Sequence, residues 1–273
     1  MKRKPKKSGN FLFVLIEVIC ALIFIYAAIQ LYSIFSDYKL ASDEYDALAA
    51  QVVRELPEES AVDFGNTEDG KEDQELAVLD LPYDYDVPDY EVDLEKVKEQ
   101  NSDTVGWIIL PDSKINYPIV KSKDNTEYLT RTFEGTEANS GAIFMDMYCP
   151  EDFNCDNTII YGHNMKNGSM FRALNNMTDK EYFWRHHIFC IDTGKGFEEY
   201  EVISCYQTVE TDLTAWKIGF ESLDAYEAWL KSIVKRCNYD CADYDVMKKT
   251  ITLSTCRGQS GGPGRFIVHL QKK

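Results

Sequence analysis

A chain of 273 residues has room for one or two domains, and 44% hydrophobic residues give it the apolar surface to bury a core. Its net charge of −17 argues against nucleic acid as a partner, because phosphate recognition needs a basic face. The acidity is uneven: residues 37–100 hold 21 Asp/Glu against 5 Lys/Arg, while residues 101–273 hold 24 against 19.

Lys2, Arg3, Lys4, Lys6 and Lys7 precede residues 11–35, an apolar stretch whose only strongly polar members are Glu17 and Gln30. That length spans a bilayer as a helix and exceeds the apolar region of a cleaved signal peptide. The basic flank stays inside, so the C-terminal part is expected outside the cell. The expected layout is a cytoplasmic basic tail over 1–10 and a transmembrane anchor over 11–35. A helical, then acidic and extended stalk follows over 36–91, and a folded domain over 92–273. Within the stalk, Tyr45, Leu48, Val52 and Leu56 at helical spacing predict a helix over 41–56, stopped by Pro57. Residues 58–90, acidic and broken by Pro82 and Pro88, read as a self-repelling linker that holds the domain off the membrane.

The folded part opens with a short helix over 93–100. Short strands are expected at 105–110, 115–120, 142–145, 158–161, 187–192 and 199–207, with turn signals between them. Two helical stretches interrupt, over 169–183 and from Ser222, where Leu223, Tyr226, Leu230, Ile233 and Val234 share a face. The last two strands, 250–256 and 265–270, alternate as half-buried strands do: Ile251 and Leu253, then Phe266, Val268 and Leu270, form the apolar sets. Eight strands in one stretch predict a mainly β fold, a closed or nearly closed barrel with added helices.

If the last two strands pair as a hairpin, Cys256 and Arg265 stand side by side at its mouth. A thiolate that attacks an amide carbonyl also needs a proton donor for the leaving amine and a group to hold the oxyanion. Arginine cannot be the base, but its fork of donors suits a carbonyl oxygen or a peptide backbone. Of the histidines at 163, 186, 187 and 269, His163 lies just past an apolar strand in a polar turn, a position suited to proton transfer. His186 and His187 end an aromatic helix and read as packing or capping residues, and His269 lies inside the last strand. The other ectodomain cysteines are Cys149, Cys155, Cys190, Cys205, Cys237 and Cys241, with Cys20 in the span. Cys149 with Cys155, and Cys237 with Cys241, are close enough for local bridges, but spacing assigns none. No zinc-ligand spacing is present, and no metal is expected.

Thr252-Leu-Ser-Thr-Cys256 with Gly264-Arg-Phe-Ile-Val-His269 resembles the signature of the sortases, a TLxTC strand followed by an arginine on the next strand. Asn157-Thr-Ile-Ile-Tyr-Gly-His-Asn-Met165 resembles the family's histidine motif. Val105-Gly-Trp-Ile, Ile115-Asn-Tyr-Pro-Ile-Val120 and Gly141-Ala-Ile-Phe-Met-Asp146 match as well. The resemblance covers residues 92–273, and the helix-bearing insert at 211–238 points to class B. It implies the sortase β-barrel and a membrane-anchored cysteine transpeptidase of Gram-positive bacteria, without metal or organic cofactor. Its partners would be secreted proteins with a C-terminal sorting signal, NPxT-like or related, and a peptidoglycan amine. By resemblance Cys256 holds the acyl-enzyme, His163 is the general acid/base, and Arg265 stabilises the oxyanion or the substrate backbone. Asn125, Leu129, Ser254 and Thr255 match segments that line the substrate groove. One departure is Arg257, where class B relatives often carry an acidic residue. A thiol hydrolase of the same fold, a pilin-polymerising enzyme and a disulfide-stapled binding domain remain as alternatives.

Overall fold

The computed structural model describes residues 9–56, 87–237, 239–256 and 262–273. Helix α1 (Gly9–Val52) runs unbroken for 44 residues. The anchor and the separate helix expected at 41–56 are therefore one element, since neither proline nor glycine occurs between residues 36 and 40 to stop it. It is long and apolar enough to cross a membrane. Its first half exposes apolar side chains such as Phe13, Leu22, Phe24 and Phe35, whereas Ala41, Tyr45, Leu48 and Val52 are buried along one stripe. That stripe docks on the barrel. The Tyr45 hydroxyl donates to the Gly141 carbonyl at 2.9 Å and accepts the Phe133 N–H at 3.1 Å. Gly141 has φ of +55°, and a Cβ there would stand 2.3 Å from the Tyr128 carbonyl oxygen, so only glycine fits beneath this helix.

After Val52 the chain forms β1 (Val53–Glu55), which pairs antiparallel with β2 (Tyr90–Val92), and Leu56 is exposed beyond the stripe. The Leu56 N–H donates to the Asp89 carbonyl at 2.8 Å. The three residues of each strand, Val53-Arg-Glu55 and Tyr90-Glu-Val92, carry two charges or one and no apolar run that would mark a strand. Their pairing places described residues from both ends of the expected stalk side by side. Pro57 and the acidic run 57–86 lie outside the described residues, and the paired strands β1 and β2 stand on either side of it in the chain.

Helix α2 (Leu94–Gln100) is capped by Asp93, whose carboxylate accepts the Lys96 N–H at 3.1 Å. Eight strands then close the barrel: β3 (Thr104–Ile109), β4 (Asn116–Val120), β5 (Ile143–Met145), β6 (Asn157–Tyr161), β7 (Ile188–Asp192), β8 (Phe197–Val209), β9 (Thr250–Cys256) and β10 (Gly264–Lys272). Around the wall the order is β10-β8-β7-β3-β4-β5-β6-β9, with β9 pairing back to β10. The β4–β5 and β6–β9 pairs are parallel. Inward side chains, among them Trp107, Ile119, Ile143, Phe189, Leu253 and Val268, are fully buried.

The helix expected over 169–183 is two pieces, a 3-10 segment Phe171–Thr178 and α3 (Lys180–Arg185). Asp179 divides them: its backbone is extended and its carboxylate caps α3 by accepting the Tyr182 N–H at 2.8 Å. Helix α4 (Leu223–Val234) starts at the Ser222 cap and lays Tyr226, Trp229, Leu230 and Ile233 on Ile203, Tyr206 and Ile267. This cover explains why β9 and β10 are buried on both faces rather than half-buried. The polar face is satisfied by a buried chain: Tyr206 O–H to His269 Nε2 at 3.0 Å, His269 Nδ1–H to Thr252 Oγ1 at 2.8 Å, and Thr252 O–H to Asn157 Oδ1 at 2.6 Å. One consistent set of donors makes His269 a neutral imidazole, and burial holds it down to about 3. It is a core residue.

Candidate active site

Strand register places the chemical groups. β6 runs parallel to β9 with Tyr161 opposite Ser254, so two residues further on His163 comes level with Cys256. The Gly162 N–H donates to the Ser254 carbonyl at 3.2 Å and carries the ladder past the end of β6. A Cβ at Gly162 would stand 2.5 Å from Ile143 and 2.6 Å from Phe171, which is why glycine precedes the histidine. β10 runs antiparallel to β9 with Arg265 opposite Cys256. Three neighbouring strands thus set an imidazole, a thiol and a guanidinium in a row across one end of the barrel.

His163, Cys256 and Arg265 line one cavity of about 340 Å³, together with Asn125, Leu129, Ser254 and Thr255. His163 Nε2–H donates to the Leu129 carbonyl at 2.8 Å, which orients the ring. Arg265 Nη1 donates to the Gly262 and Gly264 carbonyls at 2.6 and 2.9 Å, and Nη2 to Glu210 at 2.7 Å. The Ser254 hydroxyl accepts the Trp216 indole N–H at 3.2 Å. The Thr255 hydroxyl is buried with no hydrogen bond among the described residues, and it borders the same space.

Asn125 turns its amide inward. Its Nδ2 donates to Asp146 at 2.8 Å and its Oδ1 accepts the Met147 N–H at 2.8 Å. The buried Asp146 carboxylate also accepts the Tyr161 hydroxyl at 2.8 Å and the Tyr148 N–H at 2.9 Å. This network fixes the cavity wall. Phe144, Leu213 and Trp216 supply apolar lining, and Glu210 the acidic group. None of these was singled out by sequence. Glu210, one residue beyond β8, has no local signal of its role; only the β8–β10 pairing, with Val209 opposite Gly264, brings it to the arginine. Arg257 lies outside the described residues.

A thiol that attacks a carbonyl here has a proton carrier on one side and a fork of donors on the other, as an acyl transfer through cysteine requires. The sortase domain family model matches residues 108–273. The chain belongs to the sortase family, class B. Sortase B of Listeria monocytogenes is 37% identical over 178 residues, covering 64% of this chain and 72% of that protein. Among solved structures, sortase B from B. anthracis is 35% identical with a TM-score of 0.60, covering 67% of this chain and 84% of the other. A Staphylococcus aureus sortase B–substrate complex is 30% identical with a TM-score of 0.61, covering 66% and 83%. Members of the class are cysteine transpeptidases, and so is this sortase. The family match begins within β3, so α1 and the β1–β2 pair lie outside it.

Proposed function

We propose that this sortase cleaves a C-terminal sorting signal of NPxT-like or related sequence in secreted proteins and joins the released carboxyl end to a peptidoglycan amine. Cys256 attacks the carbonyl of the signal's threonine, His163 protonates the leaving amine, and a thioester forms on Cys256. The incoming amine, deprotonated by His163, then displaces the thiol and makes the new amide bond. Arg265 holds the carbonyl oxygen or the substrate backbone through its fork of donors. Leu129, Ser254 and Thr255 contact the signal, and Asn125 shapes the wall that they share. The first half of α1 anchors the enzyme in the cell membrane with its N-terminus cytoplasmic, as the basic flank favours. The observation that carries this reading is the row His163, Cys256 and Arg265 on three adjacent strands, all three lining one cavity of about 340 Å³.

The test uses the full chain in detergent with fluorogenic peptides of NPxT and LPxT type, each with and without diaminopimelate or oligoglycine, beside Cys256→Ala. Cys256-dependent cleavage with a peptide–amine product is expected from one of the peptides. Cleavage that never yields such a product with any amine would favour the hydrolase. Absence of cleavage, with Cys256 inert to alkylation, would overturn the proposal.

A further inference from the structure

Away from the cavity, three thiols meet where the chain leaving α4 crosses β8. Cys205 lies on β8 and is buried, while Cys237 and Cys241 are half-buried in the segment after α4. All are free thiols. Cys237 Sγ is 2.8 Å from Cys241 Sγ and 3.9 Å from Cys205 Sγ. The Cys205 backbone N–H also points at Cys237 Sγ, at 3.5 Å. Cys237 Sγ is thus the central sulfur of the three, in contact with both others and accepting a backbone N–H. Hydrogen bonds to a thiolate favour the charged form, so Cys237 is held below the ordinary thiol range, whereas Cys205 is pushed up. The cluster has a half-buried central sulfur with a second thiol on either side of it.

We infer that Cys237, Cys241 and Cys205 form a thiol–disulfide exchange site that takes low-molecular-weight disulfides. Cys237 as thiolate attacks one sulfur of R–S–S–R, making a mixed disulfide and releasing RS⁻, which takes up a proton. Cys241 then loses its proton and attacks Cys237 Sγ, forming the Cys237–Cys241 bond and releasing the second RSH. Overall two protein thiols are oxidised by two electrons, and one R–S–S–R is reduced to two RSH. A second path stays within the protein. Cys205 attacks Cys237 Sγ, forming Cys205–Cys237 and returning Cys241 to a thiol, with no net redox change. Because the cluster holds three thiols, any bonded pair leaves an attacker in place. A structural bridge would need two. The cluster also joins separate parts of the fold. Tyr239 stacks on Phe183 of α3 with ring centroids 4.8 Å apart and donates to the Thr178 carbonyl at 2.6 Å, while the Ala242 N–H donates to Val202 of β8 at 3.2 Å.

The experiment treats the full chain carrying Cys256→Ala with oxidised glutathione, blocks free thiols with an alkylating agent, and maps disulfides by mass spectrometry. The parent is expected to give Cys237–Cys241. Cys241→Ala is expected to give Cys205–Cys237, and Cys237→Ala to lower glutathione consumption by the cluster more than ten-fold. Cys149 and Cys155, which also touch, serve as the internal reference. A lasting glutathione adduct on Cys237 in Cys241→Ala, with Cys205 still a thiol, would overturn the exchange path. A Cys237 that stays unmodified in folded parent protein would overturn the site. Cys241→Ser, close in size, repeats the mapping if the alanine variant does not fold.

Discussion

At the scale of single residues, Arg265 shows most clearly what a side chain's shape adds to its charge. Its guanidinium satisfies two carbonyls of its own loop and the Glu210 carboxylate at once, with the Cys256 strand directly alongside. A lysine ammonium is a point charge on a flexible stem and cannot hold three fixed acceptors while facing a substrate oxygen. Arg265→Lys is therefore expected to lower kcat/KM for the sorting peptide. Hydrogen bonds to a charged group are worth roughly 1.5–3 kcal/mol, which corresponds to a loss of about ten- to a hundred-fold. Turnover within two-fold of the parent would make Arg265 a structural residue. Its position was legible in sequence because a thiol and an arginine at the ends of two alternating strands become neighbours in any hairpin. Glu210 was not. Its contact exists only because β8 closes the barrel against β10, a pairing between strands far apart in the chain.

At the scale of elements, every barrel strand was readable, even the three-residue β5 at 142–145, though the 13-residue β8 was read only over 199–207. β9 was found at its full length, while β1 and β2 carry three residues each and no apolar run. The helix at 169–183 was misread as continuous because its apolar spacing crosses Asp179, and the cap competes with the helix only once the chain turns there. The largest gain from structure concerns α1. A boundary at residue 92 would leave out Tyr45, Leu48 and Val52, which belong to the same buried cluster as the barrel's own core. Three buried side chains of this size contribute about 1.5–3 kcal/mol each, a large share of a typical domain stability of ~5–15 kcal/mol. A piece beginning at residue 92 is expected to melt well below one beginning at residue 37. Tyr45→Phe isolates the polar part of this contact. It leaves the Phe133 N–H and the Gly141 carbonyl buried without their partner, at a cost of about 2 kcal/mol and a melting point lower by ~4–8 °C. Equal melting points for the two pieces, together with an unshifted Tyr45→Phe, would show that the helix only rests on the barrel.

At the scale of the whole molecule, the proposed anchoring by α1 carries a consequence for where the barrel would stand. A stretch of ~20 residues crosses the hydrocarbon core, and the docking stripe starts at Ala41, only a few residues beyond the apolar half. At 1.5 Å per helical residue, that leaves roughly 10 Å of helix between bilayer and barrel. On the proposed anchoring, that distance belongs to a continuous helix, and β1 and β2, which flank residues 57–86 in the chain, pair with each other. Replacing residues 57–86 by a four-residue turn compatible with that hairpin is therefore expected to leave wall anchoring in cells unchanged. It is also expected to stabilise the fold, because closing a loop about eight-fold shorter removes three doublings of loop length, ~2 kcal/mol in all. Anchoring in cells, peptide cleavage in solution and the melting point test this together. Reduced anchoring with normal cleavage would restore a spacer role to the acidic run. A lowered melting point would mean that the run itself packs on the enzyme, and preserved anchoring with a raised melting point would leave α1 as the element that fixes the active site's height above the membrane.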